Sequence, residues 1–178
     1  MHIFKRALAV ILALAMILSL CACGKEPDIE LDFFAPNQSV GIVSTIVNSY
    51  HSVKPNVTIR ITYDEGAMLA AKIEAGYECD IYLADDTYFL DWLDSAETAG
   101  VNVNHNDRIY SDSRQTILTG PVYEAYAQEG QTTTDYSIAV VKPSQKRAAA
   151  DAFIEYFLSE VNDSVFEEWG FTRYTPAQ

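Results

Sequence analysis

The sequence is short of positive charge. It has 12 lysines and arginines against 25 acidic residues, a formal charge of −13. Such a surface repels phosphate, which excludes nucleic acid as a partner and leaves no electrostatic route onto an anionic bilayer. Histidine is scarce too: His2, His51 and His105 are the complement. His51 lies near the end of an amphipathic helical pattern and His105 in a polar segment, neither in a nucleophile or zinc motif. No enzyme, no metal centre and no cofactor is expected. There is no internal repeat. The longest apolar run, Ala7–Leu20, is interrupted by Ser19 and falls short of the roughly 20 residues that span a bilayer comfortably.

What that run does offer is a leader. Lys5 and Arg6 precede it, giving the charged and apolar regions of a secretory signal. It ends in Leu20-Cys21-Ala22-Cys23-Gly24, which resembles the bacterial lipobox and implies cleavage before Cys23 with a lipid on its sulfur. An ordinary signal peptide with stray cysteines and a transmembrane anchor are the competing readings. The expected division is a lipoprotein signal peptide at 1–22, a tether at 23–28 and one domain at 29–178. The protein would then be lipid-anchored on the extracytoplasmic face of the cell membrane. Cys21 leaves with the signal, so Cys79 would be the sole remaining thiol and no internal disulfide can form. Beside Ile81 and Leu83 it reads as plain core.

The chain is organised around Val57–Asp86. Val57, Ile59, Ile61 and Tyr63 alternate with Thr58, Arg60 and Thr62, the period of a strand. Asp64-Glu65-Gly66 breaks the pattern. Met68, Leu69, Ala71, Lys72 and Ile73 have helical spacing, with Gly76 as a left-handed stop. Cys79–Ala84 is a short apolar strand ending in Asp85-Asp86. Ahead of this unit, Ile29, Leu31 and Phe33 mark a first strand. Val40, Val43, Ile46, Val47 and Tyr50 mark a helix capped by Asn37 or Ser39. After it, Thr87–Leu93 is a short helix capped by Asp85 or Asp86. This order predicts an α/β fold with a mostly parallel sheet flanked by helices on both faces. Ser95–Asp135 is polar and without period, an irregular segment. Tyr136–Lys142 is a strand closed by Pro143. Two helices follow, one through Ala148–Phe157 and one ending at Trp169-Gly170.

Three pieces, FFAPNQS, YDEGAMLAAKIEAGYECDIYLADD and YSIAVVKPSQKRAAADAFIEYFLSEVNDSVFEEWGF, together resemble the molybdate-type solute-binding proteins of ABC importers. The resemblance covers Ile29–Asp94 and Tyr136–Phe171. It implies one lobe of a type II periplasmic-binding-protein fold, and a small inorganic oxyanion such as molybdate or tungstate as ligand. ABC permease subunits are the implied partner. The oxyanion is expected at two adjacent strand-to-helix turns, on Asn37, Gln38 and Ser39 of the first and Glu65, Gly66 and Ala67 of the second. Neutral donors and helix N-termini suit an anion there.

Two departures accompany the resemblance. Ser95–Asp135 is too short and irregular for the family's second lobe, and Tyr123 is the one candidate remnant of that lobe's ligand tyrosine. The family's binding serines fall at about Gln38 and at Glu65 or Gly66, so a carboxylate stands where the anion should sit. Two alternatives therefore remain open. One is a surface-tethered interaction or structural module, or a relic that no longer binds. The other is an acidic cation site, with Asp64-Glu65 and Asp85-Asp86 converging on Ca²⁺ or Mg²⁺.

Overall fold

Alternation along the central strands decides which face each side chain enters. In β1 (Ile29–Pro36), Leu31, Phe33 and Ala35 enter one apolar cluster while Phe34 enters another. In β3 (Ile81–Ala84), Ile81 and Leu83 join the first cluster, Tyr82 and Ala84 the second. In β5 (Thr133–Val140), Ile138 and Val140 face one way and Ala139 the other. A period of two with both faces apolar is what a sheet covered on both sides requires.

The structure is a computed structural model that describes residues 26–94, 107–124, 127–142 and 144–176. The leader, Cys23, His105 and Pro143 lie outside the described residues. The remaining strands are β2 (Val57–Asp64), β4 (Gln115–Pro121) and β6 (Thr172–Arg173), and all six form one sheet in the order β2-β1-β3-β5-β4-β6. The helices are α1 (Val40–Val53), α2 (Gly66–Glu74), α3 (Thr87–Leu93), α4 (Arg147–Phe157) and α5 (Asp163–Glu168). Helices α1, α4 and α5 cover one face, through Ile42, Ile46, Tyr50, Phe153, Phe157 and Phe166. Helices α2 and α3 cover the other, through Leu69, Ile73, Leu90 and Leu93. The expected α/β class with helices on both faces is what the chain adopts. Its parallel part is β2-β1-β3, and the pairs β3-β5, β5-β4 and β4-β6 are antiparallel, which makes the sheet mixed.

The first face is held by aromatic edges. The Phe33 ring meets Phe153 at 5.6 Å and Phe157 at 6.5 Å, both edge-on. Tyr50 meets Phe153 at 5.1 Å. Such pairs add about 0.5–1.5 kcal/mol each beyond their buried area.

Two local expectations need correction, and a third, left open between two residues, is decided. The segment expected to be irregular supplies β4, which lies inside the sheet between β5 and β6. Its apolar residues escape a simple period because the register against β5 shifts between Thr116 and Leu118. Ser39 does not cap α1: Asn37–Ser39 is a 3₁₀ turn, and the Ser39 hydroxyl donates back to the Pro36 carbonyl at 2.7 Å. At α3 the cap is Asp86, whose Oδ1 accepts the Tyr88 N–H at 2.8 Å, and not Asp85.

The carboxyl-terminal Trp-Gly-Phe has a geometric reason. Gly170 takes a left-handed turn (φ 77°) between two rings that cap glycines elsewhere. Trp169 lies against Gly41 of α1, and Phe171, 1% exposed, lies against Gly120 of β4. A Cβ on either glycine would collide with the ring above it. Gly120→Ala is expected to lower unfolding free energy by roughly 1–3 kcal/mol, because the buried Phe171 has nowhere to go. Gly41→Ala is expected to cost less, since Trp169 is 48% exposed and can swing outward. Paired denaturant melts check the order, and equal losses would contradict it.

Candidate functional site

Parallel pairing brings three strand ends to one edge of the sheet. Pro36 pairs with Asp64 at the last rung of β1 and β2, and β3 runs parallel on the other side of β1. The two strand-to-helix turns singled out in the sequence therefore lie side by side, with Asp85-Asp86 at the exit of β3 beside them.

The first turn contributes little that points outward. Asn37 is exposed, Ser39 is fully buried with its hydroxyl used on Pro36, and Gln38 has a buried Oε1 without a hydrogen-bond partner. The second turn is engaged. Asp64 Oδ2 accepts from Lys72 Nζ at 2.6 Å and Oδ1 from the Glu65 N–H at 2.9 Å. The Lys72 ammonium, then that N–H, hold the Asp64 carboxyl below its ordinary 3.8. Glu65 sits in the cap position of α2 without capping it, and its Oε1 accepts from the Tyr123 hydroxyl at 3.2 Å. That carboxylate pushes the Tyr123 phenol up. Thus Glu65 and Tyr123, distant in sequence, meet at the end of α2.

Beside them is a cavity of about 420 Å³. Ala67 and Tyr123, both expected at a site, line it. Asn37, Gln38, Ser39, Glu65 and Gly66 do not. Asp85 and Asp86, which the sequence suggests only as ligands of a hard cation, line it as well, and the sequence points to none of its other wall residues: the rings of Tyr88 and Phe89, Val122, and the polar Gln128, Gln131 and Thr134. The Asp85-Asp86 pair at a strand exit was the available signal, but which of two adjacent aspartates turns inward depends on the helix that follows.

Two buried aspartates show what is unusual here. Asp80 is 5% exposed and fully served: Oδ2 accepts from the Asp32 N–H and Lys146 Nζ, each at 2.9 Å, and Oδ1 from Ser144 at 2.7 Å. Asp85 is 6% exposed, and its Oδ1, packed against Gly66, finds no donor. Burial, and then the neighbouring Asp86 charge, push the Asp85 carboxyl above 3.8, while its own N–H works the other way. A buried acceptor without a donor costs roughly 1–3 kcal/mol.

The convergence of Asp64-Glu65 with Asp85-Asp86 on a hard cation does not form. Asp64 is taken by Lys72, and among the described residues no group of three or more histidines, cysteines or acids is placed to hold a metal ion. Oxyanion chemistry fares poorly as well. A unit negative charge about 4 Å from a carboxylate is disfavoured by roughly 4 kcal/mol at an effective dielectric of about 20, and no lysine or arginine among the described residues lines the cavity. Away from it, Cys79 is buried and donates to the Ile81 carbonyl, with burial raising its thiol. His51 Nδ1 lies 3.2 Å from the Val57 carbonyl, at the opposite end of β2.

The Asp85 shift has a sign that can be tested. A group whose folded pKa is raised contributes stability below its unfolded value and loses it as pH rises through the folded one. As pH rises above 3.8, the native chain is therefore expected to lose stability relative to Asp85→Asn. Parallel pH series of melts measure this, and parallel curves would show that Asp85 is solvated.

A family model described as bacterial extracellular solute-binding protein matches residues 115–172, the stretch from β4 to β6. No curated protein matches the chain in sequence. Among solved structures, a substrate-binding domain assigned to a molybdenum ABC transporter of Clostridium difficile superposes with a TM-score of 0.67 at 16% identity. That match covers 83% of this chain and 100% of the other. The periplasmic molybdate-binding protein of Azotobacter vinelandii gives 0.62 at 8% identity, covering 83% and 100%. The iron-bound protein HitA from Pseudomonas aeruginosa gives 0.52 at 12% identity, covering 82% and 86%. The chain has the fold of the periplasmic solute-binding proteins, the fold its sequence motifs resemble.

Proposed function

We propose that the protein is an extracytoplasmic solute-binding protein of an ABC importer, held at the membrane by a lipid on Cys23. In this reading residues 1–22 are its signal peptide, 23–28 the tether and 29–178 a single lobe, with 95–135 standing in for the usual second lobe. The observation that carries the reading is the cavity at the carboxyl ends of β3 and its neighbours. Open α/β sheets present ligands at that edge, and in this fold solutes are small molecules. A cavity of about 420 Å³ falls within the roughly 300–1,000 Å³ of small-molecule sites. The partner is the permease of the importer.

Fold does not fix the ligand. The neighbours include molybdate-binding and iron-bound proteins, so the sign of the ligand's charge is a property of the site. Molybdate or tungstate is the ligand that the resemblance implies, and Glu65, Asp85 and Asp86 oppose it in this chain. We therefore expect millimolar tungstate to leave the melting midpoint of the full chain unmoved. A folded-state ligand raises that midpoint by mass action, so a clear upward shift would restore the oxyanion. The anchor is tested separately. Cys23→Ser is expected to release the exported protein from the membrane fraction into the soluble extracytoplasmic fraction, and a variant that stays with the membranes would contradict lipid attachment.

A further inference from the structure

The cavity wall is specific about what it lacks. Asp86 Oδ1 is used by the Tyr88 N–H. Gln131 accepts the Gln128 N–H and donates to the Thr133 carbonyl. Thr134 donates to the Asp85 carbonyl. Against that background the Asp85 side chain, 6% exposed, keeps a buried carboxylate oxygen with no donor among the described residues. Asp85 lines the cavity, its Oδ1 packs against Gly66 at the start of α2, and its carboxylate torsion is two-fold, so the two oxygens exchange places. The rings of Tyr88 and Phe89 stand beside it, edge to face with centroids 5.8 Å apart. One buried carboxylate, two aromatic rings and no cationic side chain among the described lining residues form a site for positive charge.

Resting on the solute-binding reading, we propose that the cavity takes a small organic cation whose protonated primary amine donates to the Asp85 carboxylate, with its hydrocarbon part against Tyr88 and Phe89. Three features select this class. A metal ion such as Ca²⁺ wants six to eight oxygens, and the described residues hold no group of three metal-ligating side chains. A quaternary ammonium has no N–H for the orphan acceptor. The volume, about 420 Å³, is on the order of ten times a water's share of about 30 Å³, room for a chain of several carbons and not just one oxyanion. Asp86 in the wall, and Glu65 behind Tyr123, add negative potential, and the net charge of −13 steers cations toward the site.

The test is calorimetric titration and thermal melting of the full chain, purified in mild detergent, with 1,4-diaminobutane as probe. Tetramethylammonium and tungstate serve as comparison solutes, all at physiological salt. Saturable binding of the diamine with a raised midpoint is expected, together with none for tetramethylammonium. Asp85→Asn is expected to weaken the diamine at least tenfold. Tyr88→Ala, at a side chain 65% exposed and so harmless to folding, is expected to weaken it about threefold. Glu168→Gln, on the exposed surface of α5, controls for general attraction to an acidic protein and is expected to change nothing. Diamine binding that survives Asp85→Asn and Tyr88→Ala, or that Glu168→Gln weakens equally, overturns the site. Tungstate binding without diamine binding overturns the cation and keeps the receptor. No binding of any of these solutes, across a wider panel of sugars and amino acids as well, overturns both.

Discussion

Strand β1 is hydrogen-bonded in parallel to β2 on one side and to β3 on the other, and the rest of the architecture answers to that placement. Two parallel neighbours force two crossovers through helices, and both faces of β1 must then be apolar. Its carboxyl end becomes the meeting point of three turns. The same three strands fix where the chain can bind anything, because every loop with free backbone and polar side chains at that edge descends from them. The antiparallel half, β5-β4-β6, closes the sheet behind β3, and Val122, Tyr123, Gln128, Gln131 and Thr134, from β5 and the connection that precedes it, wall the cavity.

How much of this could be read from sequence follows from how local each signal is. The strand Val57–Asp64 and the stop at Gly76 were legible because alternation and a positive φ are properties of a few adjacent residues. The helix Thr87–Leu93 was legible for the same reason. Strand β4 was not. Its sequence QTILTGP mixes Thr, Gly and Pro, and only the long-range ladder to β5 and the ring of Phe171 over Gly120 make it a strand. Of the expected site residues, Ala67 and Tyr123 line the cavity, and Glu65 is a neighbour of Tyr123, while the first turn stays out of it. Yet Ser39 turned inward, because a 3₁₀ turn placed its hydroxyl on Pro36. Asp85 went unrecognised as the buried group. The choice between Asp85 and Asp86 depends on which one the first turn of α3 takes as its cap.

The contrast between Asp80 and Asp85 explains why the cavity matters more than its size suggests. Both are nearly excluded from solvent. One is neutralised by a lysine, a serine and a backbone N–H, and acts as a clip between β1 and the start of α4. The other is left incomplete at the edge where this fold presents ligands. Folded proteins rarely keep a buried acceptor unserved, and where they do the missing partner is a candidate for the ligand itself. The acidic character of the whole chain then works with the site and not against it.

The most direct measurement is a carboxyl ¹³C NMR titration of Asp85, assigned by comparison with Asp85→Asn, with and without 1,4-diaminobutane. A midpoint above 3.8 is expected in the free protein, brought down by the diamine because a nearby cation favours the ionised form. A midpoint at or below 3.8 in the free protein, indifferent to the diamine, would show that Asp85 is already satisfied and that the cavity is not built around it.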